Sequence, residues 1–197
     1  MRIDKQKDYK VLSYTYRNFV TLSNEENLMI LKERNHPDVK KWMFTNNDIG
    51  EKEHLDFIAS LSNRSDAFYW LIEREETPIG VLNLVHFNEE KGEGEAGYYL
   101  FSEYLNSGIG LEMQYAYKKF FFEVLSLENL PGHIQYGNTS AYLLTTFFGG
   151  VEDGETIIDG KRYLKMHTPK QNFEAIKGEK LTVSFVKYIK THQKKWE

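Results

Sequence analysis

A short glycine loop, with an apolar strand before it and a helical pattern after it, has the residue types and spacing to bind an anion. The run Glu95–Leu100 is apolar and aromatic and predicts a strand, the loop Asn106–Gly110 follows, and a helical pattern begins at Leu111. The first turn of a helix has unpaired N–H groups and the positive end of the helix dipole, and glycine lets a phosphate approach the backbone closely. The loop is therefore a candidate pyrophosphate site, and a plain strand-turn-helix junction is the alternative.

Length, charge and composition bound the class of protein. A chain of 197 residues fits one domain, and because it can bury about 70% of its unfolded surface it needs no disulfide or metal to fold. It contains no cysteine, which excludes disulfides, thiolate metal sites and a cysteine nucleophile. A formal net charge of -4 argues against non-specific nucleic-acid binding.

The sequence predicts a cytoplasmic protein with no membrane partner. The first eight residues are charged and have no apolar core, so they do not resemble a signal peptide. No apolar stretch approaches the ~20 residues that span a bilayer. We expect no metal site.

The first part of the chain predicts a strand and then a helix. Strand-forming residues alternate with polar ones over Val11–Val20, which predicts one strand. Ser23 stands three residues before Glu26, a capping-box spacing that marks a helix start. Within that helix, Leu28 and Leu31 are expected to face inward.

The rest of the chain predicts a mixed α/β (α+β) domain with consecutive antiparallel strands. Asp-Gly between two strand-like runs is a strong hairpin signal, and the last segment has a helical pattern that also alternates in part like a strand. The predicted elements are a helix from Asp48 or Gly50, strands at Phe68–Glu73, Ile79–Phe87 and Ala96–Phe101, a helix to about Leu125, a strand at Ile134–Tyr136, a helix at Asn138–Phe147, a hairpin of Val151–Ile158 and Arg162–His167, and a helix around Leu181–His192.

This order of elements, with a glycine loop after the fourth strand, resembles the GNAT acetyltransferases. That family binds acetyl-CoA through the motif Gln/Arg-x-x-Gly-x-Gly/Ala. Gly108 and Gly110 match the two glycine positions, and Leu105 departs from the leading Gln/Arg. The resemblance implies the GNAT fold, which is a mixed, mostly antiparallel central sheet with helices on both faces.

A second family motif supports the same resemblance. Asn138, Ala141 and Leu144 match its spacing. Thr145 stands where the family usually has the tyrosine that protonates the departing thiolate.

A narrower resemblance covers the N-terminal third. The segments Glu33–Val39, Trp42–Met43 and Glu53–Ile58 look like those of the amino-sugar N-acetyltransferases of pseudaminic acid biosynthesis. Those enzymes acetylate the 4-amino group of a UDP-linked dideoxy sugar. The matches cover roughly residues 10 to 168. We therefore predict a GNAT domain over 1–168, with 169–197 as a C-terminal extension of the same domain.

The resemblance implies that acetyl-CoA is the cofactor. The backbone N–H groups of the glycine loop are assigned to the pyrophosphate, and the backbone of the preceding strand to the pantetheine arm. The predicted cofactor-binding residues are Tyr98, Tyr99, Leu100, Ser107, Gly108, Ile109, Gly110, Leu111 and Asn138.

Acetyl transfer to an amine needs a proton acceptor. Glu95 is the best-placed carboxylate because it lies on the strand beside the reacting thioester, where it acts directly or through a water. The alternative is a solvated strand carboxylate. His36 and His54 are further candidates, because imidazole titrates near neutral pH, although the sequence favours a hydrogen-bonded structural role for either.

The source of a proton for the leaving thiolate stays open. Thr145 donates hydrogen bonds but is a far weaker acid than a phenol. Tyr142 lies one turn earlier on nearly the same helix face, and Tyr98 or Tyr99 is another candidate. No residue is an essential acid if the thiolate leaves without protonation.

The predicted substrate-binding residues are Arg34, Asn35, His36, Trp42 and His54. Arg34 suits a substrate phosphate through its planar fork, and a surface salt bridge is its alternative. Trp42 suits an apolar wall against a methylated sugar ring, and is equally compatible with the core.

The sequence therefore predicts an N-acetyltransferase that moves acetyl from acetyl-CoA to a primary amine, most specifically on a nucleotide-linked amino sugar. An acetyltransferase of protein N-termini or of another small amine uses the same fold and cofactor. The alternative from a different functional class is a non-catalytic acyl-CoA-binding domain. The partner is a small-molecule amine, and a homodimer is compatible with the sequence.

Overall fold

Strands and helices alternate along the chain in the order that the sequence predicts for its middle section. The computed structural model describes residues 3–194 and residue 196. The strands are β1 (Tyr9–Val11), β2 (Tyr14–Asn18), β3 (Phe68–Arg74), β4 (Thr77–Asn88), β5 (Glu93–Leu100), β6 (Asn129–Gln135), β7 (Val151–Ile158) and β8 (Lys161–Pro169). The helices are α1 (Asn24–Arg34), α2 (Pro37–Lys40), α3 (Glu51–Leu61), α4 (Ile109–Lys119), α5 (Thr139–Phe147), α6 (Lys170–Glu174) and α7 (Leu181–Thr191).

The eight strands form one sheet in the order β1-β2-β3-β4-β5-β6-β8-β7. Every neighbouring pair is antiparallel except β5 and β6, which run parallel. The predicted mixed, mostly antiparallel sheet is confirmed.

Helices cover both faces of the sheet because the strands alternate apolar side chains between the two faces. On β3, Trp70 belongs to a core that includes Met113 of α4 and Phe120, which follows that helix. Its neighbour Leu71 points the other way and packs with Ile30 of α1 and Ile58 of α3. The sheet is therefore the middle layer, with α4 and α5 on one face and α1 and α3 on the other.

The capping box predicted for the first helix is present. Ser23 Oγ accepts from the Glu26 N–H, and the Glu26 carboxylate accepts from the Ser23 N–H. The inward face is rotated by one residue from the prediction, since Ile30 and Leu31 are buried and Leu28 is only partly so. The third buried position is the polar residue Asn27, so the hydrophobic pattern of the sequence did not indicate this face of the helix.

The single strand predicted for Val11–Val20 is wrong. The chain turns at Leu12 and Ser13, so β1 and β2 form a hairpin, and a 3-10 turn follows at Phe19–Thr21. Leu12 has a φ of 55° and its side chain is 64% exposed. Left-handed turn positions are usually glycine or asparagine, so a leucine there gives no turn signal.

The long helix predicted to reach about Leu125 changes its winding before its end. A π-helical turn at Phe120–Val124 follows α4, and the Leu125 N–H donates to the Phe120 carbonyl oxygen at 2.9 Å. This turn buries three consecutive phenylalanines, whose interpretation as core is confirmed.

The C-terminal part contains the predicted hairpin and helix. β7 and β8 join at Asp159 and Gly160, which both have positive φ. In α7, Phe185 and Tyr188 pack edge-to-face on Phe147 of α5. The segment after residue 168 therefore packs against the same helices as the rest of the chain, and its status as an extension of one domain stays a prediction.

Candidate active site

The parallel strands β5 and β6 pair only at their beginning. Their register contains a single residue pair, Glu93 with Asn129. The other edge of β5 is paired with β4 as far as Leu100. Backbone polar groups need hydrogen-bond partners, so the β5 edge beyond Glu93 suits an extended ligand that carries amides. The splayed pair therefore fits the pantetheine arm that the resemblance implies.

The predicted strand-loop-helix arrangement surrounds the glycine loop. Gly108 is the N-cap of α4, with a φ of 86° and no side-chain cap. A Cβ added there would meet nothing within 4 Å, so the space in front of the helix is open. Ser107 Oγ accepts from the Ile109 N–H at 3.3 Å. A helix N-terminus whose N-cap is glycine fits a phosphate, and the pyrophosphate role of Ser107–Leu111 stays a prediction.

Side chains of β5 divide between the two faces of the sheet. Tyr98 lies on the α4 face, where its hydroxyl accepts from Gln114 Nε2 at 2.9 Å. Leu100 lies on the same face, within reach of a Cβ added at Gly110. Tyr99 points to the opposite face, and burial raises the pKa of its phenol. The glycine loop thus shares one face with Tyr98, while Tyr99 belongs to the other.

A carboxylate and an imidazole meet where the two strands separate. His133 Nδ1 lies 2.7 Å from Glu95 Oε1, and their side chains are 23% and 20% exposed. A carboxylate accepts, so Nδ1 of His133 carries the hydrogen and Nε2 of the neutral ring has a free lone pair. In this tautomer Nε2 is available as a proton acceptor on a side chain that is partly exposed.

Sequence reasoning selected Glu95 but missed His133. The two residues are 38 positions apart and lie on the parallel strands β5 and β6. Only a prediction of the β5–β6 register would have brought them together.

A loop closes over this pair from the face opposite α4. We call residues 41–50, between α2 and α3, the α2–α3 loop. Its Phe44 ring lies 6.2 Å from the His133 ring and 5.1 Å from the Tyr163 ring. Lys161 Nζ donates to the carbonyl oxygens of Met43 at 3.0 Å and Phe44 at 3.1 Å, and to Asn46 Oδ1 at 2.6 Å. Lys161, which the sequence did not suggest, thus anchors the loop.

Trp42 lies in this loop and is 41% exposed, with Phe44 at 44%. Of the two interpretations of Trp42, the structure excludes core. The Phe44 ring beside His133 fits an apolar wall for a ligand, and the role of Trp42 in that wall stays a prediction.

Arg34 and Asn35 hold the α2–α3 loop. Arg34 Nη2 donates to the carbonyl and hydroxyl oxygens of Thr45, at 2.9 and 3.2 Å. Arg34 Nη1 is buried with no protein partner, and burial lowers the pKa of the guanidinium. The Asn35 amide exchanges two 2.9 Å hydrogen bonds with the backbone of Ile49. Within the described part of the chain Arg34 forms no salt bridge, and the hydrogen bonds of both side chains are directed to the loop.

The two histidines predicted near the substrate make structural hydrogen bonds. His36 is the N-cap of α2, where Nδ1 accepts from the Asp38 N–H at 3.3 Å. His54 is buried in α3, where Nε2 donates to the Asn27 carbonyl at 3.0 Å, and burial lowers its pKa. Neither is the imidazole partner of Glu95, so the structural alternative describes both.

Two of the acid candidates, Tyr142 and Thr145, lie on α5, whose N-cap is Asn138, with Oδ1 accepting from the Ala141 N–H. The Tyr142 hydroxyl donates to Glu152 Oε1 at 2.7 Å, and Glu152 also accepts from Lys194. Burial and the Glu152 carboxylate raise the pKa of Tyr142 to about 12. The hydroxyl is therefore a weak acid already committed to a partner. Thr145 stays a prediction.

Among residues 3–194 and 196, no helix is long and apolar enough to cross a membrane. In the same part of the chain, no three His, Asp or Glu side chains are grouped so that they could hold a metal ion.

The splayed strands, the glycine-capped helix beside them and the aromatic wall on the other face define an acyl-coenzyme A-dependent transferase of the GNAT type. A model of the family described as "Acetyltransferase (GNAT) domain" matches residues 18–144. The chain belongs to this family of acetyltransferases, and it is an N-acetyltransferase whose cofactor is acetyl-CoA.

Comparison with individual proteins confirms the narrower resemblance. A Campylobacter jejuni protein named Acetyltransferase PseH is 33% identical over 128 residues, which are 65% of this chain and 78% of the relative. The crystal structure of C. jejuni N-acetyltransferase PseH with acetyl coenzyme A has a TM-score of 0.63 at 22% identity, covering 79% of this chain and 98% of that one.

A second solved structure shares the fold. It is the spermidine N-acetyltransferase from Vibrio cholerae in complex with CoA and spermine, with a TM-score of 0.73 at 17% identity. The match covers 82% of this chain and 98% of that one. At this identity the likeness concerns the fold alone.

Proposed function

We propose that this acetyltransferase modifies the primary amine of a nucleotide-linked amino sugar, and specifically its 4-amino group. The observation that carries the proposal is the Glu95–His133 pair, which lies at the strand separation beneath the aromatic α2–α3 loop. The pair provides a proton acceptor, and the loop provides a wall for a sugar ring. The identity to relatives named PseH supports an amino-sugar acceptor.

The cofactor is held on the α4 side. Bound acetyl-CoA supplies an acetyl group activated as a thioester. The N–H groups of residues 108–111 bind its pyrophosphate, and the open β5 edge at residues 98–100 binds the pantetheine amides. The open space before Gly108 and the single β5–β6 residue pair support this assignment. Asn138 caps α5 and lies in the matching family motif, so it completes the site.

The proton of the amine is accepted on the face of the sheet opposite α4. The amine nitrogen forms the new C–N bond while the C–S bond breaks, and the proton of the amine passes to His133 Nε2. Glu95 accepts the hydrogen bond from Nδ1, which fixes the tautomer and stabilises the imidazolium that forms. His133 is therefore the base, and Glu95 is the residue that positions it.

No side chain acts as an essential acid in this proposal. Tyr142 is not proposed as the proton donor to the leaving thiolate, because its hydroxyl is hydrogen-bonded to Glu152 and its pKa is about 12. Thr145 occupies the matching family position and gives the leaving sulfur at most a hydrogen bond. Placing the amine against the thioester supplies most of the rate, since well-oriented reactants reach effective molarities of about 10⁵ M or more.

The acceptor ring lies against Trp42 and Phe44. Arg34 acts on it indirectly by fixing Thr45 in the loop. Asn35 acts in the same way through Ile49. His36 and His54 support the helices on either side of the loop.

The test is a thiol-release assay with purified protein, acetyl-CoA and a panel of UDP-4-amino sugars, peptides with free N-termini, and polyamines. We expect release with the UDP-amino sugars and the product amide by mass spectrometry. Thiol release with peptides or polyamines alone would overturn the sugar assignment. It would favour a protein N-terminus or another small amine as the acceptor.

A further inference from the structure

We propose that Lys165 selects acceptors that carry a phosphate close to the reacting amine. This inference rests on the proposed function and names the charge that the acceptor must bring. It concerns a residue of β8 that lies outside the span matched by the family model.

Lys165 is the cross-strand neighbour of His133. The two residues are directly opposed in the antiparallel β6–β8 pair, so their side chains leave the same face of the sheet. Adjacent strands lie about 4.8 Å apart, and directly opposed side chains contact each other readily. The lysine is exposed, and it is the direct cross-strand neighbour of the imidazole that is hydrogen-bonded to Glu95.

The ammonium of Lys165 has no ion-pair partner among residues 3–194 and 196. On β7 the residue opposite it is Gly154, which has no side chain, because a register shift displaces Asp153. The displaced Asp153 carboxylate binds His167 Nδ1 at 2.5 Å instead.

The other two carboxylates of β7 are also occupied. Glu155 pairs with Arg162 at 2.6 Å, and Glu152 pairs with Lys194 at 2.8 Å. Every acidic residue of β7 is thus matched to a cation or an imidazole other than Lys165. The positive charge beside His133 is left for a ligand.

Two side chains next to His133 and Lys165 on the same face of the sheet have polar atoms without a hydrogen-bond partner among the described residues. Gln135 and Tyr163 are opposed across the same strand pair, below Phe44. Gln135 Oε1 and the Tyr163 hydroxyl are buried with no protein partner. Burial raises the pKa of Tyr163, so it stays a neutral donor. Both groups lie in the covered layer beneath the Phe44 ring, next to His133 and Lys165.

This arrangement discriminates by charge. A phosphate beside Lys165 gains a charge-assisted interaction, whereas a polyamine brings a second positive charge to the same place. The face would then accept nucleotide-linked amines and reject polyamines, although both are primary amines.

The test compares Lys165→Ala and Lys165→Glu on two acceptors, a UDP-4-amino sugar and the methyl glycoside of the same amino sugar. We expect KM for the UDP sugar to rise about tenfold in Lys165→Ala and further in Lys165→Glu, since a hydrogen bond to a charged group is lost. KM for the methyl glycoside and KM for acetyl-CoA should stay within about twofold of wild type, because the glycoside has no phosphate and the proposed cofactor site lies on the α4 side of the sheet.

Lys10→Ala is the matched control, because Lys10 is an exposed strand lysine at the far edge of the sheet. It should leave every constant unchanged. If the UDP sugar is acetylated and Lys165→Ala keeps its KM, the inference is wrong while the proposed function stands. If neither sugar is acetylated, the proposed function fails and this inference fails with it.

Discussion

His133 Nδ1 lies 2.7 Å from Glu95 Oε1, across two strands that share a single residue pair. The separation that leaves the β5 edge unpaired beyond Glu93 also lies next to these two side chains. The proposed cofactor site and the proposed proton acceptor therefore depend on the same irregularity in the sheet. This relationship gives the first of four predictions.

Removing the imidazole should slow chemistry without weakening cofactor binding. We expect His133→Gln to lower kcat by about 10²–10⁴-fold, the usual contribution of a general base. Glu95→Gln should cause a smaller loss, because the ring stays in place with a weaker orienting partner. Initial rates over a range of pH and acetyl-CoA titrations measure both effects.

The matched control for this pair is His167→Gln, because His167 and Asp153 form a second imidazole–carboxylate pair on the same sheet. That variant should keep wild-type kcat. Full activity of Glu95→Gln and His133→Gln across pH would show that the pair is not the base.

Gly108→Val should weaken CoA binding. Gly108 has a φ of 86°, a conformation that a β-branched residue adopts at a cost of about 1–3 kcal/mol. The variant should therefore distort the N-terminus of α4 and raise the Kd for CoA, measured by calorimetry.

Gly160→Val is the control that distinguishes backbone strain from a loss of CoA binding. Gly160 has a φ of 75°, and a Cβ there also meets nothing within 4 Å, but it lies in the β7–β8 turn. Both variants should lose thermal stability, and only Gly108→Val should lose CoA affinity. Equal Kd values for the two would remove the glycine loop from the cofactor site.

Tyr142→Phe should keep its activity and lose some stability. Its hydroxyl donates to Glu152, so deletion removes one hydrogen bond, worth about 1–2 kcal/mol when a charged acceptor is involved. We expect kcat within about twofold of wild type and a lower urea midpoint. A loss of kcat by more than tenfold, most of all at high pH, would make Tyr142 the acid after all.

Lys118 should make stability depend on pH. It is buried in α4, Nζ donates to Thr168 Oγ1 at 3.1 Å, and burial lowers its pKa to about 7. The unfolded chain has the ordinary lysine pKa of about 10.4, so between pH 7 and 10 it binds more protons than the folded chain. The free energy of unfolding should therefore rise with pH in this window and show no further change from Lys118 below it.

Lys118→Met should remove that slope and stabilise the protein at pH 7, by on the order of 3 kcal/mol. Urea unfolding at pH 7, 8 and 9 measures it. Lys119→Met is the control, since Lys119 is partly exposed and paired with Glu123. An unchanged slope in Lys118→Met would show that Lys118 is already charged in the folded protein.

Local patterns in the sequence predicted local structure well. The Ser23–Glu26 capping box, the Asp159-Gly160 hairpin and the strand before the glycine loop all depend on residues within a few positions of each other. The β1–β2 turn was missed because Leu12 adopts a left-handed conformation that its residue type does not signal.

Partners of functional side chains were harder to predict. The sequence identified Glu95, Arg34 and Tyr142 by residue type, but the partner of each lies elsewhere in the chain. Arg34 holds Thr45 in a loop, and Tyr142 is directed to Glu152 of the edge strand β7.

The sequence by itself determined the family, the cofactor and the glycine loop, because these follow from short motifs and from the order of elements. Only the tertiary structure decided that His133 joins Glu95 and that Lys165 stands beside it. These neighbours depend on the register of β5, β6 and β8, which brings together residues 32 to 70 positions apart. Such a register is set by the packing of the whole sheet, and no local pattern encodes it.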